Sequence, residues 1–509
     1  MLKGLERCIA ALFAGWMLLV LLVVLLCFEG TSFSCKRAFL LPQWAMLLCG
    51  AAALCALGLL LGRRAERMPK RPLLAPAMAW LALLGVQLVL CFHAYFITGW
   101  DVRAVTESAY AIAGGQTDIH SGYLSMYPNN IPLVLCFAAI LRVLRLILGN
   151  PGLDRCIFVL IAVQCALNTA TGMLLHRIAV HETQSRRFGW YAAVIYMVFV
   201  GLSPWLMIPY SDSMALFFPT AVIAVAQAYR EERLGWAAWP LMGLLAAMGF
   251  LIKPQAVIAA IAVALVEAVR AMTRGGWMKS AKRVGCMALA FALLAGPVRQ
   301  AAVDASPIDV KPEKNIGMLH FVMMGLGEKR NGIYDGDDVE LSCSAAPEER
   351  RAVQMREIIR RLSGMSWGGL PEHLKKKTLT NYADGTFAWG CEGEFFSRWI
   401  EDKDSVISPL LKSLIDTGSA RFPILLTVLQ SIWLALLLGC VLCGVQLFGG
   451  EREGGTMDVM MLSIIGLTLF EWIFEARARY LYLYAPVYVL LGAYGWWRAA
   501  ARIRNPQLF

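Results

Sequence analysis

Three long apolar runs near the start of the chain, residues 12–28, 46–61 and 78–97, restrict its fold more than any other feature. At 1.5 Å per helical residue each covers most of the roughly 30 Å of a bilayer's hydrocarbon. Backbone in lipid must satisfy its own hydrogen bonds, so such runs become helices. No alternating ten-residue pattern points to a β-barrel. Runs of this kind recur to the C-terminus, and across 509 residues 58% are hydrophobic and only 16% charged. A soluble domain carries about 25% charged residues, so this composition belongs in lipid. The expected fold is an all-α polytopic membrane protein.

The net charge of +11 does not imply nucleic acid, because Lys and Arg gather in short connections between apolar runs, where they act as topology signals. Most of the 14 cysteines sit inside apolar runs and read as small hydrophobes rather than a disulfide framework. The N-terminus, with Lys3 and Arg7 before a long apolar run, lacks an evident small-residue cleavage site, so an uncleaved first helix is expected.

Short basic loops stay in the cytoplasm. Arg63, Arg64, Arg67, Lys70 and Arg71 crowd one such loop, and Lys3 and Arg7 place the N-terminus on the same side. The third helix then goes outward, which makes 98–127 the first outer loop. The connections 176–187, 230–233 and 270–283 and the tail beyond Trp497 are basic as well. All are cytoplasmic only if 128–148 lies at the outer face rather than crossing, a reading that fits its interruption by Arg142 and Arg145. Further crossings are expected at 156–175, 190–207, 213–229, 236–252, 256–269, 284–303, 424–448, 459–474 and 481–497. The expectation is a bundle of about 12–13 transmembrane helices with both termini inside. Residues 1–73 form two N-terminal helices and a basic loop, 74–303 a main transmembrane module, 304–421 a long extracytoplasmic segment, and 422–509 the last helices. A structureless connector of that length is uncommon, so the outer segment should carry function or structure. Within it, 347–362 reads as a short amphipathic helix.

Charges converge on the outer face. Asp101 follows the third helix, Asp212 sits in a tight turn, Lys253 precedes Pro254 at a helix end, and Glu475, Arg477, Arg479 and Tyr480 occupy another short turn. Taken singly, each has an ordinary use as a helix cap, a snorkelling amine or a lipid contact. Together they suit a phosphorylated, lipid-linked ligand. Cations hold phosphate oxygens, and a carboxylate takes a proton from an attacking hydroxyl.

With these residues in this order, the chain resembles the GT-C superfamily of membrane glycosyltransferases. The likeness is greatest to bacterial protein mannosyltransferases and the aminoarabinose transferase of lipid A, in the manner of glycosyltransferase family 39. Its carriers are Gly99-Trp100-Asp101, Tyr127-Pro128-Asn129-Asn130, Tyr210-Ser211-Asp212, Lys253-Pro254, and Glu475 to Tyr480 with Pro486 beyond. The resemblance implies a GT-C-like bundle that transfers a sugar, with inversion, from a polyprenyl-phosphate donor. The acceptor would be an envelope glycan, lipid or protein on the extracytoplasmic face of the cytoplasmic membrane. It implies Asp101 as general base and Asp212 as a second acidic catalytic-site residue that helps bind a metal or orient the acceptor, with a divalent metal at Asp101 and Asp212 if one is used. Lys253, Arg477 and Arg479 would bind the donor phosphate, supported by Glu475, Tyr127 and Tyr480. The chain departs from the family in three respects. Two helices precede the usual first one, the second acidic site is a single Asp, and the common C-terminal outer domain is missing.

Two other readings compete. A transporter or flippase of lipid-linked saccharides predicts internal repeats and broken mid-membrane helices, yet no clear repeat is found and the charges lie at one face. A non-catalytic envelope scaffold has no need of the charge collection. In the outer segment, Asp335 to Asp338 lacks EF-hand spacing and reads as a solvated turn. Lys375-Lys376-Lys377 reads as a solvated or headgroup-facing run, 381–389 as a sugar-binding surface or a small core, and Cys343 and Cys391 as a pair that shares one compartment.

Overall fold

The computed structural model describes residues 2–28, 31–32, 35–36, 38–63, 74–117, 119–392, 396–400, 405–449 and 455–504. Arg64, Arg67, Lys70 and Arg71 lie outside the described residues. The chain is helical almost throughout. Helices α1 (Leu2–Leu26), α2 (Gln43–Arg63) and α3 (Leu74–Ala94) come first, followed by α4 (Trp100–Ala113), α5 (Ser121–Met126) and α6 (Ile131–Leu148). The main bundle continues with α7 (Leu153–Thr183), α8 (Arg186–Phe199), the single turn α9 (Ser211–Met214), α10 (Phe217–Arg230), α11 (Ala238–Ile252) and α12 (Ile258–Arg274). Helix α13 (Trp277–Leu293) widens into a π-helical turn around Pro297 before α14 (Arg299–Asp304). The segment 304–421 holds α15 (Gly317–Gly325), α16 (Gly336–Ser344), α17 (Pro347–Gly364), α18 (Gly369–Tyr382), α19 (Trp389–Glu392) and α20 (Ile407–Ile415). Helices α21 (Phe422–Gly449), α22 (Thr456–Ile473), α23 (Ala478–Tyr482) and α24 (Ala485–Arg504) close the chain. Among the described residues β structure is confined to two antiparallel two-stranded ladders. One pairs β1 (Thr31–Ser32) with β2 (Cys35–Lys36), and the other pairs β3 (Phe96–Thr98) with β4 (Phe396–Trp399).

Ten of these helical stretches are long and apolar enough to cross a membrane. The three other expected crossings coincide with α8, α11 and α24, of 14, 15 and 20 residues. Helices α8 and α11 rise only about 21–23 Å at 1.5 Å per residue. Both give way to short buried turns, around Trp205 and around Lys253, that enter the site region. Helix α24 packs along α21 at a glycine seam, where a Cβ on Gly495 would meet the Gly439 carbonyl oxygen at 2.0 Å. Backbones approach that closely only where side chains are missing.

Helices α3 and α7 pack antiparallel through a buried polar cluster. The amide of Gln87 donates to Asn168 Oδ1 (3.0 Å) and Gly201 O (2.8 Å) and accepts from Thr169 Oγ1 (3.0 Å). Residues 95–152 therefore leave and re-enter at one end of the bundle. Stretch Pro128–Leu148 is long and apolar enough to cross, yet its basic end folds back over α4. Arg145 lies 4.7 Å from the Tyr110 ring centroid and Arg142 donates to Ile112 O. The start of α6 meets the start of α4, because the Tyr210 hydroxyl reaches both Asp101 and Asn130 at 3.4 Å. The connections expected to share one side gather at the opposite end. There Arg187 donates to Gly62 O, Arg230 to Thr456 Oγ1, and Arg283 pairs with Glu267 at 2.8 Å.

The segment 304–421 packs on the site end. Helix α17 lies on protein, with Ile358 against Met323 and Leu326 and with Arg350 and Gln354 buried. The acidic turn is a helix start: Asp335 caps α16, Asp337 pairs with Lys329, and Asp338 accepts from Arg361 at 3.0 Å. Residues 381–389 form core rather than surface, with Tyr382, Phe387 and Trp389 buried and Trp205 donating to Thr386 O. One question the sequence leaves open is answered, and one expectation is corrected. Cys343 is free while Cys391 is disulfide-bonded, so these two do not pair. Lys377, expected in solvent, is fully buried and donates to Gly325 O, Trp472 O and Phe474 O at 2.7–2.8 Å. Three carbonyls satisfy the three N–H bonds of an ammonium, which is what allows it to leave water.

Candidate functional site

A cavity of about 470 Å³ opens between the bundle end and α15, and its polar wall includes Asp101, Lys253, Arg299, Arg477 and Arg479. Its apolar wall includes Phe250, Ile252, Phe321 and Phe470.

Asp101 stands in the first turn of α4, where the helix dipole favours a carboxylate. The residue before it, Trp100, has φ +46°. That left-handed conformation is rare for a bulky side chain and persists only when its surroundings fix it. They do: the Trp100 ring packs edge-on against Tyr210 (5.3 Å), and the Arg479 guanidinium sits 4.4 Å from its centroid. Asp101 accepts from the Tyr210 hydroxyl at 3.4 Å. The Tyr123 hydroxyl, on the same cavity, accepts from Asn130 Nδ2 at 2.7 Å. Burial, then Tyr210 and Asp101, push the Tyr123 phenol far up, so it keeps its proton and acts as a donor.

Asp212, on the one-turn α9, is buried and stands 2.8 Å from Lys253 Nζ and 3.8 Å from Arg479 Nε. It is not among the cavity-lining residues; it stands behind the two cations as their counter-ion. Pro254 ends α11 so that Lys253 turns inward, with Nζ 3.8 Å from the Tyr480 ring centroid. Burial pulls the Lys253 amine down, and Asp212 opposes it. Glu475 is buried as well, a loss of water that on its own raises a carboxyl. Arg477 at 2.9 Å, Arg479, and the Tyr480 hydroxyl at 2.8 Å outweigh this and hold it below the ordinary range.

All eight residues expected from the sequence therefore lie in one place: Asp101, Tyr127, Lys253, Glu475, Arg477, Arg479 and Tyr480 on the cavity and Asp212 directly behind it. Arg299, Tyr123, Gln255 and His320 line it too and were not foreseen. Arg299 ends an apolar span and His320 lies in an apolar helix, so neither stood out from its neighbours. Among the described residues no group of three His, Cys, Asp or Glu side chains is placed to hold a metal ion. Asp212 faces cations, so the carboxylate pair that a divalent ion at Asp101 and Asp212 would need is already committed elsewhere.

Four cations against three carboxylates leave the site with an anion-binding surplus, formally one charge. Such a cavity, apolar on one wall and cationic on the other, can hold a phosphate attached to an apolar chain. No curated protein and no solved structure matches the chain. A family model does match, over residues 5–500. The chain thus belongs to the family described as conserved hypothetical integral membrane protein.

Proposed function

We propose that this protein is a membrane glycosyltransferase of GT-C type that moves a sugar from a polyprenyl-phosphate donor to a hydroxyl-bearing envelope acceptor. The observation that carries the reading is Asp101 held on the same cavity as Lys253, Arg299, Arg477 and Arg479. The cations grip the phosphate and stabilise the charge that grows on it as the glycosidic bond breaks. Asp101, oriented by Tyr210, takes the proton of the acceptor hydroxyl as its oxygen attacks the anomeric carbon. Attack from the face opposite the leaving phosphate inverts that carbon. Asp212 acts through its neighbours, keeping Lys253 and Arg479 in place.

The apolar carrier reaches the site along the Phe250 and Ile252 wall, beside the π-helical turn of α13. Few residues of the stretch Trp277–Asp304 are fully buried, and in this reading its open side faces lipid. In this reading the basic end of the bundle is cytoplasmic and the cavity faces outward from the cytoplasmic membrane. Purified protein in detergent should form a glycosidic bond from a defined polyprenyl-phosphate sugar and a hydroxyl acceptor. Movement of intact donor across liposomes, with no new bond formed, would replace this reading with the flippase.

A further inference from the structure

Two buried polar atoms on the cavity wall have no hydrogen-bond partner among the described residues: His320 Nε2 and Gln255 Oε1. A buried polar group without a hydrogen-bond partner is costly, so an orphan bordering a cavity points to a ligand that completes it. His320 belongs to α15, in the outer segment, and Gln255 follows Pro254 in the bundle, so the cavity lies between two independent parts of the chain.

The hydrogen bonds of His320 define what it offers. Its Nδ1 stands 2.9 Å from Ser342 Oγ, and that oxygen already accepts from Gln354 Nε2 at 3.0 Å. Gln354 is itself fixed by a bond to Ile316 O at 2.8 Å. Among the described residues the Ser342 proton has no other acceptor in reach, which assigns Nδ1 as its acceptor. The ring then carries its own proton on Nε2, on the edge turned away from Ser342. Burial disfavours the charged ring, so His320 is a neutral donor.

A neutral N–H and an amide oxygen suit different partners from those of Lys253 and the arginines. A phosphate at neutral pH has no proton for an amide oxygen, whereas a sugar hydroxyl both accepts and donates. We infer that His320 and Gln255 form the glycosyl-hydroxyl subsite of this cavity, an inference that rests on the function proposed above. The outer segment thereby supplies a specificity-determining residue to a phosphate site built by the bundle.

The test measures binding of undecaprenyl phosphate and of its glucosyl, galactosyl and mannosyl derivatives to the full-length protein in detergent. Wild type should bind at least one glycosyl form more tightly than the bare phosphate lipid. His320→Phe should weaken that form about five- to tenfold and leave the bare lipid unchanged, as expected for one lost hydrogen bond. His320→Gln, which retains an N–H at similar reach, should keep most of the preference, and Gln255→Leu should lose part of it. Unchanged affinity for the bare lipid doubles as the control for folding. The subsite is overturned if wild type shows no preference, if His320→Phe retains it, or if that variant weakens both lipids alike. Wild type that binds none of these lipids overturns the glycosyltransferase reading and the subsite with it.

Discussion

Lys253 Nζ and Asp212 Oδ1 stand 2.8 Å apart at the end of an apolar bundle, with side-chain exposures of 9% and 1%. A buried pair of this kind is stable only as a pair, because either partner left alone keeps an uncompensated charge away from water. Lys253→Met and Asp212→Asn should each cost roughly 3–5 kcal/mol or prevent assembly, while the double variant is hurt less than the sum. Thermal unfolding of the three variants in one detergent checks this. Strictly additive losses would show that the two groups act independently.

Asp101 differs because it faces the cavity. Asp101→Asn keeps the shape and the bond from Tyr210 but removes the base. Sugar transfer should fall by about 100-fold or more, with an unfolding midpoint close to wild type. Tyr210→Phe, which removes the hydroxyl that donates to Asp101, should lower the rate by about tenfold and move the acid limb of the pH–rate profile. Turnover like that of wild type in Asp101→Asn would remove Asp101 from the mechanism.

Arg477 borders the cavity and is held by Glu475 at 2.9 Å. Arg477→Gln should weaken binding of undecaprenyl phosphate by about tenfold, and Arg477→Lys should recover only part of it, since a point charge does not replace a planar fork. Equal affinity in all three proteins, measured by isothermal titration, would place the phosphate elsewhere.

The helical membrane fold was legible because its signal is repeated along the chain and needs no partner: apolar runs of spanning length, with basic residues between them. The cluster of Asp101, Asp212, Lys253 and the Glu475–Tyr480 turn was legible for a related reason, since charges at the ends of apolar helices are rare enough to stand out. Asp212 shows the limit of that signal. Its sequence position gave no hint that it backs Lys253 instead of lining the cavity. His320 shows another, because a histidine between Leu319 and Phe321 looks like any core histidine until its orphaned nitrogen is seen beside a cavity. The Lys375 to Lys377 run misled outright. Three adjacent lysines on a helix point in three directions about 100° apart, and one of them turns inward.

That inward lysine gives a pH prediction. Lys377 joins the end of α15 to the end of α22 by donating to Gly325 O, Trp472 O and Phe474 O, so it ties the segment 304–421 to the turn that carries Arg477. Burial pushes its amine down to about 7, against the pull of Glu471 and Glu475, from an ordinary value of 10.5. Between those two values the unfolded chain binds a proton that the folded protein does not. Linkage then requires stability to rise with pH across this window, and the handicap to be fully present below about 7. Unfolding midpoints of wild type and Lys377→Met, followed from pH 6 to 10, should show the difference (wild type minus variant) flat on the acid side and growing through the alkaline range. A difference independent of pH would mean that Lys377 stays charged throughout, held by its three carbonyls strongly enough to overcome the loss of water.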